Sequence, residues 1–567
     1  MQPPTPNDPA SPDDLTYVEA TVEGADAPVP PPPARRGRKA VVIAVAAAVG
    51  LAGVAAAASF VALSGSSETL TTKLPADTDV VVTAYLDPAA SQKVNLFRLT
   101  SAFPTLGAEP EVTGRAGDWV DSLLATTGLT HDDLAWLGSQ VAVAVDVRPQ
   151  GEPAIAIMLD TTDEADAEVS LRALRDGPLF MGSRWTQEDH GGFKVWAGDD
   201  GREQTLVGIV DGSVVIANDA VTFDDIVATA NGDAPSLAED QDFVDTMAGL
   251  PSARLGMAYV APDDLLAALD RMQGPGLSDL GTAAGIDPEA VRGIGLTLTA
   301  EPDALAMDSE VTIDASKLTP EQLDAYGAED HGNVQLAMVP ADALGFAGAQ
   351  HLDSGLDAAL AGLPSEQRAA LEQSGLEPAI SSLSGDLAFE LSMPPGSVTP
   401  GGALMIGTDD EQAMAAALGI AAQALPPASP FVTSELSTPS WKTVDHDGVT
   451  VTYLPGDGGG TGFAPAYAVF GGTGVLASSR TEAFRIIDTA QGAPSAMDAE
   501  AVTAALDDVS GSEDVLYLDL AGIVDAVANT GMMDPEIRGN LDALRTLVAG
   551  TQTDPDHQHA RLVLRIG

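Results

Sequence analysis

TLVGIVDGSVVIANDAVTFDDIVATANG (205–232) decides the reading of this chain, because PAYAVFGGTGVLASSRTEAFRIIDTAQG (465–492) repeats its pattern. In each stretch two short apolar runs flank a Gly-containing turn, which predicts a hairpin. A run with helical spacing of apolar residues follows. The same correspondence extends outward in both directions. Upstream, DHGGFKVWAG (189–198) matches DHDGVTVTYLPG (445–456), each a His-containing turn into an alternating strand. Further upstream WLGSQVAVAVDV (136–147), PAIAIMLDT and the helix DEADAEVSLRALRDG run parallel to SLSGDLAFELSM (382–393), GGALMIGT and DDEQAMAAALGIAAQAL. Both helices are expected to open on a capping box, Thr161-x-x-Glu164 and Thr408-x-x-Glu411. Downstream, APSLAEDQDFVDTMAGLP (234–251) matches APSAMDAEAVTAALDDVS (493–510).

A strand-then-helix phrase occurs four times: LPADTDVVVTAYLDPAASQKV from Leu74, RLGMAYVAPDDLLAAL (254–269), NVQLAMVPADALGFAG (333–348) and DVLYLDLAGIVDAV (514–527). In the first, Asp79–Leu86 reads as the strand, and Asp87-Pro88 as N-cap and first turn of the helix. The first half closes with an expected hairpin, GIGLTLTAEPDALAMDSEVTI, where the second keeps one strand, ARLVLRIG. Partners lie about 245–260 residues apart in unbroken order, which predicts an internal duplication, residues 74–325 and 326–567. The expected fold class is α+β, mainly antiparallel sheet with packed helices.

Ahead of this lies AVVIAVAAAVGLAGVAAAASFVAL, residues 40–63, without a charged side chain. As a helix it would be roughly 36 Å long, enough for a hydrocarbon core of about 30 Å. Arg35, Arg36, Arg38 and Lys39 precede it, and basic residues stay on the cytoplasmic side. The expectation is a single-pass cell-membrane anchor with a cytoplasmic N-terminus, a tether over 64–73 and an extracytoplasmic ectodomain. A signal peptide cleaved near Ser59 and a buried soluble helix are the rival readings. Residues 1–39 form a Pro-rich, acidic head expected to be disordered, with polyproline II around Pro28–Pro33. Its PxxP pattern and its Thr16 and Thr21 among acids are common by chance.

The chain has 567 residues, 26 Lys plus Arg against 83 Asp plus Glu, a net charge of −57 and no cysteine. Six of the acids and four of the bases precede residue 40, so the remainder carries 77 acids against 22 bases. Such a surface cannot displace counterions from phosphates, which argues against nucleic-acid binding. The absence of cysteine excludes thiol catalysis, Cys-ligated zinc and disulfide support, leaving apolar cores to hold the fold.

TLTTKLPADTDVVVTAYLDP directly after one membrane span, with WLGSQVAVAV further on, resembles the actinobacterial envelope family catalogued as domain of unknown function 3352. The resemblance covers the ectodomain and rests on structural phrases. It implies a membrane-anchored exported protein and carries no activity, cofactor or site residue.

Motifs that carry chemistry are few. G-x-S-x-G, H-E-x-x-H, a P-loop and a complete EF-hand loop are all absent, and GDGGGTG (456–462) does not fit G-x-G-x-x-G. His557 and His559, beside Asp554 and Asp556, could chelate a metal, but a polar turn before the last strand explains them as well. His190 and His446 occupy matching turns, which duplication alone explains. Asp199-Asp200, Asp224-Asp225 and Asp263-Asp264 read as turn and helix-terminus acids. A glycosidase would pair its acids with aromatic platforms, and aromatics are 4% of the chain. No catalytic, cofactor-binding or metal residue is assigned, and no cofactor is expected. Three functional readings remain. The first is a non-catalytic envelope protein binding a partner protein, a wall component or an apolar ligand. The second is a hydrolase with an unrecognised carboxylate or metal site. The third is a lipid carrier or chaperone module.

Overall fold

Alternating apolar residues need a sheet with both faces covered or a partner on one, and here almost every such run finds strand neighbours on both edges. The computed structural model describes residues 68–103, 129–148, 153–180, 182–199, 201, 204–262, 290–326, 331–351, 376–393, 400–424, 441–455, 464–531 and 533–567. The head and the apolar stretch 40–63 lie outside the described residues. Among the described residues no helix is long and apolar enough to cross a membrane.

The strands of the first half are β1 (Val80–Tyr85), β2 (Leu137–Asp146), β3 (Ala154–Thr161), β4 (Arg184–His190), β5 (Phe193–Asp199), β6 (Gln204–Val210), β7 (Ser213–Ala217), β8 (Gly256–Val260), β9 (Val291–Ala300) and β10 (Ala304–Ile313). Those of the second are β11 (Gly345–Ala349), β12 (Leu383–Ser392), β13 (Gly401–Thr408), β14 (Lys442–His446), β15 (Val449–Tyr453), β16 (Ala466–Phe470), β17 (Thr473–Ala477), β18 (Asp514–Asp519), β19 (Leu544–Asp554) and β20 (His557–Ile566). Every pairing is antiparallel. The first half runs β4-β5-β6-β7-β3-β2-β1-β8-β9-β10. The second runs β14-β15-β16-β17-β13-β12-β11-β18-β19-β20, the same order displaced by ten strands. β10 pairs with β20, so one sheet continues across both halves.

Individual residues keep matching ladder positions. Thr161 lies opposite Leu137 and Thr408 opposite Leu383, while Ala217 faces Ala156 and Leu206 as Ala477 faces Ala403 and Ala466. His190 closes on Phe193 as His446 does on Val449, and Tyr259 and Tyr517 each sit between the first and ninth strands of their half. The turns explain the hairpins: Asp211-Gly212, Gly471-Gly472, Gly191-Gly192 and Asp447-Gly448 all have positive φ at both central residues, the twist two-residue hairpins need.

The helices are α1 (Ala90–Ser101), α2 (Glu164–Asp176), α3 (Ala220–Ala230), α4 (Gln241–Ala248), α5 (Pro320–Tyr326), α6 (Glu377–Ile380), α7 (Glu411–Ala424), α8 (Arg480–Ala490), α9 (Glu500–Leu506), α10 (Leu520–Asn529) and α11 (Pro535–Leu541). Against one sheet face, α3 and α4 bury Phe223, Ile226, Phe243 and Met247 over Met158, Val215 and Tyr259. α8 and α9 do the same with Ile486, Ile487 and Val502 over Met405, Val475 and Tyr517. α2 lies on the opposite face, where Trp136, Leu171, Leu174 and Phe180 join Val207 and Val214.

Several local expectations need correction. The helix after β1 begins at Ala90 with no side-chain cap, because Asp87 is engaged by Lys93. The caps of α2 and α7 are Asp163 and Asp410, whose carboxylates accept from the backbone N–H groups of the first turn. Thr161 and Thr408 instead accept from the N–H of those Asp residues. The Asp carboxylate, two residues later and one bond longer, reaches the first-turn donors. Capping boxes do occur, at Ser236 with Glu239 and Ser495 with Asp498. NVQLAMVPADALGFAG is a 3₁₀ turn (Val334–Met338) followed by β11, because Asn333 caps the turn at Gln335. The end of the chain is a hairpin, β19 and β20, where one strand was expected. The segment expected as a tether enters the fold at Glu68: Leu70 and Leu74 are buried, and Glu68 pairs with Arg254.

Candidate functional site

The region with the shape of a ligand site is in the second half, on the face opposite α8. α6 and α7 stand over β12 and β13 and leave a cavity of about 290 Å³, lined by residues that include Leu376, Ile380, Leu383, Leu387, Ile406, Met414 and Leu418. This is near the small end of the ~300–1,000 Å³ expected of ligand pockets. Strand alternation puts Leu387 and Ile406 on this face, and directly paired residues share a face. α7 supplies Met414, Ala417, Leu418 and Ala421 at helical spacing.

In the matching region of the first half a packed apolar cluster takes this place. Trp136 and Leu174 fill it, both buried. In the second half Ser382 precedes β12 where Trp136 precedes β2, and Ala421 stands thirteen residues after Thr408 as Leu174 stands after Thr161. Gly474 takes the ladder place of Val214, and a Cβ there would fall 2.6 Å from Met414. Of these smaller residues Ala421 lines the cavity, whereas Met414 occupies the space beside Gly474.

On the α8 side of the same strand lies a carboxylate cluster. Glu390 of β12 is fully buried, and Glu482 of α8 is buried beside it. Ser392 Oγ donates to Glu482 at 3.0 Å, and Arg485 bridges Glu482 and Asp342 while standing 3.6 Å from Glu390. Burial and then the charge of Glu482 push the Glu390 carboxyl up to about 8, partly offset by Arg485. Glu390 thus holds a proton at neutral pH. Glu390 and Glu482 are enclosed in the core, while Arg485 and Asp342 carry the network to the surface.

His557 and His559 lie on β20 itself, not in a turn before it. His557 Nδ1 is 2.9 Å from Glu310 Oε1 and His559 Nδ1 3.1 Å from Glu310 Oε2, so both imidazoles stand against one buried carboxylate on β10, and His559 makes the hydrogen bond. Arg561 Nη1 is 2.8 Å from Asp308, and its guanidinium also binds Glu301. The hydrogen bond to Glu310 raises the affinity of His559 for its proton, against the cost of burial. His557, His559 and Arg561 of β20 thus face acids of β10 across the ladder, which accounts for their chemistry structurally. Asp554 and Asp556 stand at the hairpin turn between β19 and β20.

His190 contacts Asp224 at 2.5 Å and His446 contacts Asp488 at 2.7 Å, each from a turn to the following helix. His446, stacked on Phe484, groups with Asp447 and Asp488 so that one ligand atom from each lies within 4.8 Å of the others. Both carboxylates are exposed, and three half-open ligands fall short of a closed four-ligand site. Burial and the neighbouring acids Asp77 and Asp146 raise the pKa of Asp225. Asp200, the Asp263-Asp264 pair, the Gly-rich run 456–462 and the head motifs lie outside the described residues. The cavity and the Glu390 cluster went unnoticed in the sequence; the one signal for the second was a Glu within the apolar run Leu387–Leu391.

A family model described as a protein of unknown function, DUF3352, matches residues 40–424. The chain belongs to that family. The DUF3352 match begins at the first residue of the apolar stretch and ends with α7, short of the last 143 residues, which is narrower than the resemblance read over the whole ectodomain. No curated protein matches. Three crystal forms of TP0453 are similar at 11%, 10% and 13% identity. They cover 46%, 45% and 44% of the DUF3352 chain and 84%, 82% and 81% of their own, with TM-scores of 0.24, 0.23 and 0.24.

Proposed function

We propose that this is a non-catalytic, membrane-tethered envelope protein whose ectodomain binds an apolar ligand in the cavity between α6, α7, β12 and β13. The cavity carries the reading. A wall of aliphatic side chains with almost no polar group selects a hydrocarbon ligand such as an acyl or isoprenoid chain, through burial rather than hydrogen bonding. Residues 40–63 hold the protein in the membrane with its N-terminus in the cytoplasm, in keeping with the basic cluster before Ala40 and the acidic chain beyond it.

The two halves descend from one duplicated unit. Identical strand order supports this, as does the symmetry of the junction: Asp308 and Arg561, each fifth in its strand, stand opposite each other at its centre. In a dimer of identical copies that position would set a residue against its own twin. Fusion into one chain allows opposite charges there. By the same logic the halves diverged, one keeping Trp136 and Leu174 as filler and the other opening a cavity.

The test uses cis-parinaric acid, a fluorescent fatty acid, with residues 64–567 freed of the span. Binding is expected for the wild type, and at least about tenfold weakening for Ala417→Leu/Ala421→Leu, whose added carbons occupy the cavity. Equal binding by a variant of unchanged melting temperature would refute the cavity as the site.

A further inference from the structure

α1 is unlike its surroundings. Its sequence, ASQKVNLFRLTS, has no acid in a chain where 83 of 567 residues are acidic, and it carries Lys93 and Arg98. Its inner side is fixed: Leu99 packs with Leu255 and Ala300, Gln92 accepts from Ala300 N at 2.7 Å, and Asn95 donates to Ala300 O at 2.8 Å. Its outer side presents Val94 at 49% and Phe97 at 64% exposure, with Arg98 also exposed. Positions 94, 97 and 98 fall on one helix face. Phe97 is the most exposed large hydrophobic among the described residues.

Chain continuity says what lies nearby. Four residues, 64–67, separate the end of the expected span from Glu68, so the five steps from Leu63 reach at most about 18 Å. Glu68 is held 2.7 Å from Arg254, whose guanidinium lies over Tyr85 at the end of β1. Leu255, the next residue, packs against Leu99 of α1. The point where the chain leaves the bilayer and the helix with the exposed Phe therefore share one end of the sheet.

We propose that α1 is a membrane-surface helix that docks on the bilayer carrying the anchor, with Phe97 and Val94 at the acyl boundary and Arg98 against anionic phosphate groups. This rests on the anchored reading of residues 40–63. An aromatic and an aliphatic side chain beside a cation, with no acid on the helix, match an anionic lipid interface and oppose the repulsion the rest of this chain would feel. Docking would orient the ectodomain and hold its apolar cavity at a set height above the lipid.

Because the chain has no cysteine, single labels are clean. Full-length protein with a nitroxide at Phe97→Cys, or at Val221→Cys as an equally exposed control on α3, is reconstituted into phosphatidylcholine vesicles containing phosphatidylglycerol. The label at 97 is expected to collide more with oxygen than with a water-soluble nickel chelate, in a ratio at least about threefold above that at 221, since oxygen concentrates in hydrocarbon. Equal ratios, or a label at 97 shielded from both reagents by other protein, would overturn the proposal. Flotation with the vesicles tests the anchor separately: protein that floats with a wet label loses α1 docking alone, and protein that fails to float loses both. Arg98→Glu should halve or more the excess at 97, and an unchanged excess would remove Arg98 from the contact.

Discussion

Glu390→Gln should stabilise this protein, and increasingly so as pH rises. The native carboxyl is fully buried, and its pKa is raised from 4.5 to about 8. A folded-state pKa above the unfolded one means the folded chain holds the proton more tightly. The stability tied to this group is thus fully present below about pH 4.5 and lost as pH rises through about 8. A shift of this size corresponds to roughly 5 kcal/mol over the whole titration and roughly 3 kcal/mol of it by pH 7, as an order of magnitude. Gln keeps a donor for Glu482 and cannot ionise, while Arg485 retains Glu482 and Asp342. Urea unfolding at pH 5, 7 and 8.5 should show the variant close to wild type at pH 5 and ahead by several kcal/mol at pH 8.5. A variant no more stable at pH 8.5, or a gap independent of pH, would refute the assignment of a buried proton to Glu390.

The junction yields two more expectations. Removing either member of the Asp308–Arg561 pair should cost about 3–5 kcal/mol, since Asp308 is almost fully buried, and the exchange Asp308→Arg/Arg561→Asp should recover at least half by denaturant unfolding. A double exchange no better than the single changes would argue against a paired centre. The His559 pKa is raised by Glu310, so its contribution is fully present below the ordinary His value of 6.5 and disappears as pH rises through the folded value. His559→Gln should flatten that part of the stability profile, and an NMR titration of the wild-type imidazole should find its midpoint above 6.5.

Local elements were legible in the sequence because their causes are local. Asp211-Gly212 and Gly471-Gly472 can take the positive φ of a tight hairpin, and the apolar spacing after each turn produces α3 and α8 without reference to anything distant. The ordered pairs, from Thr161 with Thr408 to Tyr259 with Tyr517, were likewise open to reading, since matching ladders need matching alternation. Cap positions were missed by two residues because Thr and Asp are both good caps, and backbone geometry hands the first-turn donors to Asp and the Asp N–H to Thr.

What only the tertiary structure decided is whatever depends on partners far apart in sequence. Alternation does not say that β1 inserts between β2 and β8, or that β10 joins β20. β19 escaped notice because its polar residues, like His557, His559 and Arg561 on β20, read as a turn until Glu310 and Asp308 are placed across from them. The cavity belongs to the same class: Gly385, Ala417 and Ala421 are ordinary small residues one at a time. They line a space only where α6 and α7 stand over β12 and β13, because a cavity is a property of packing and no single residue carries it.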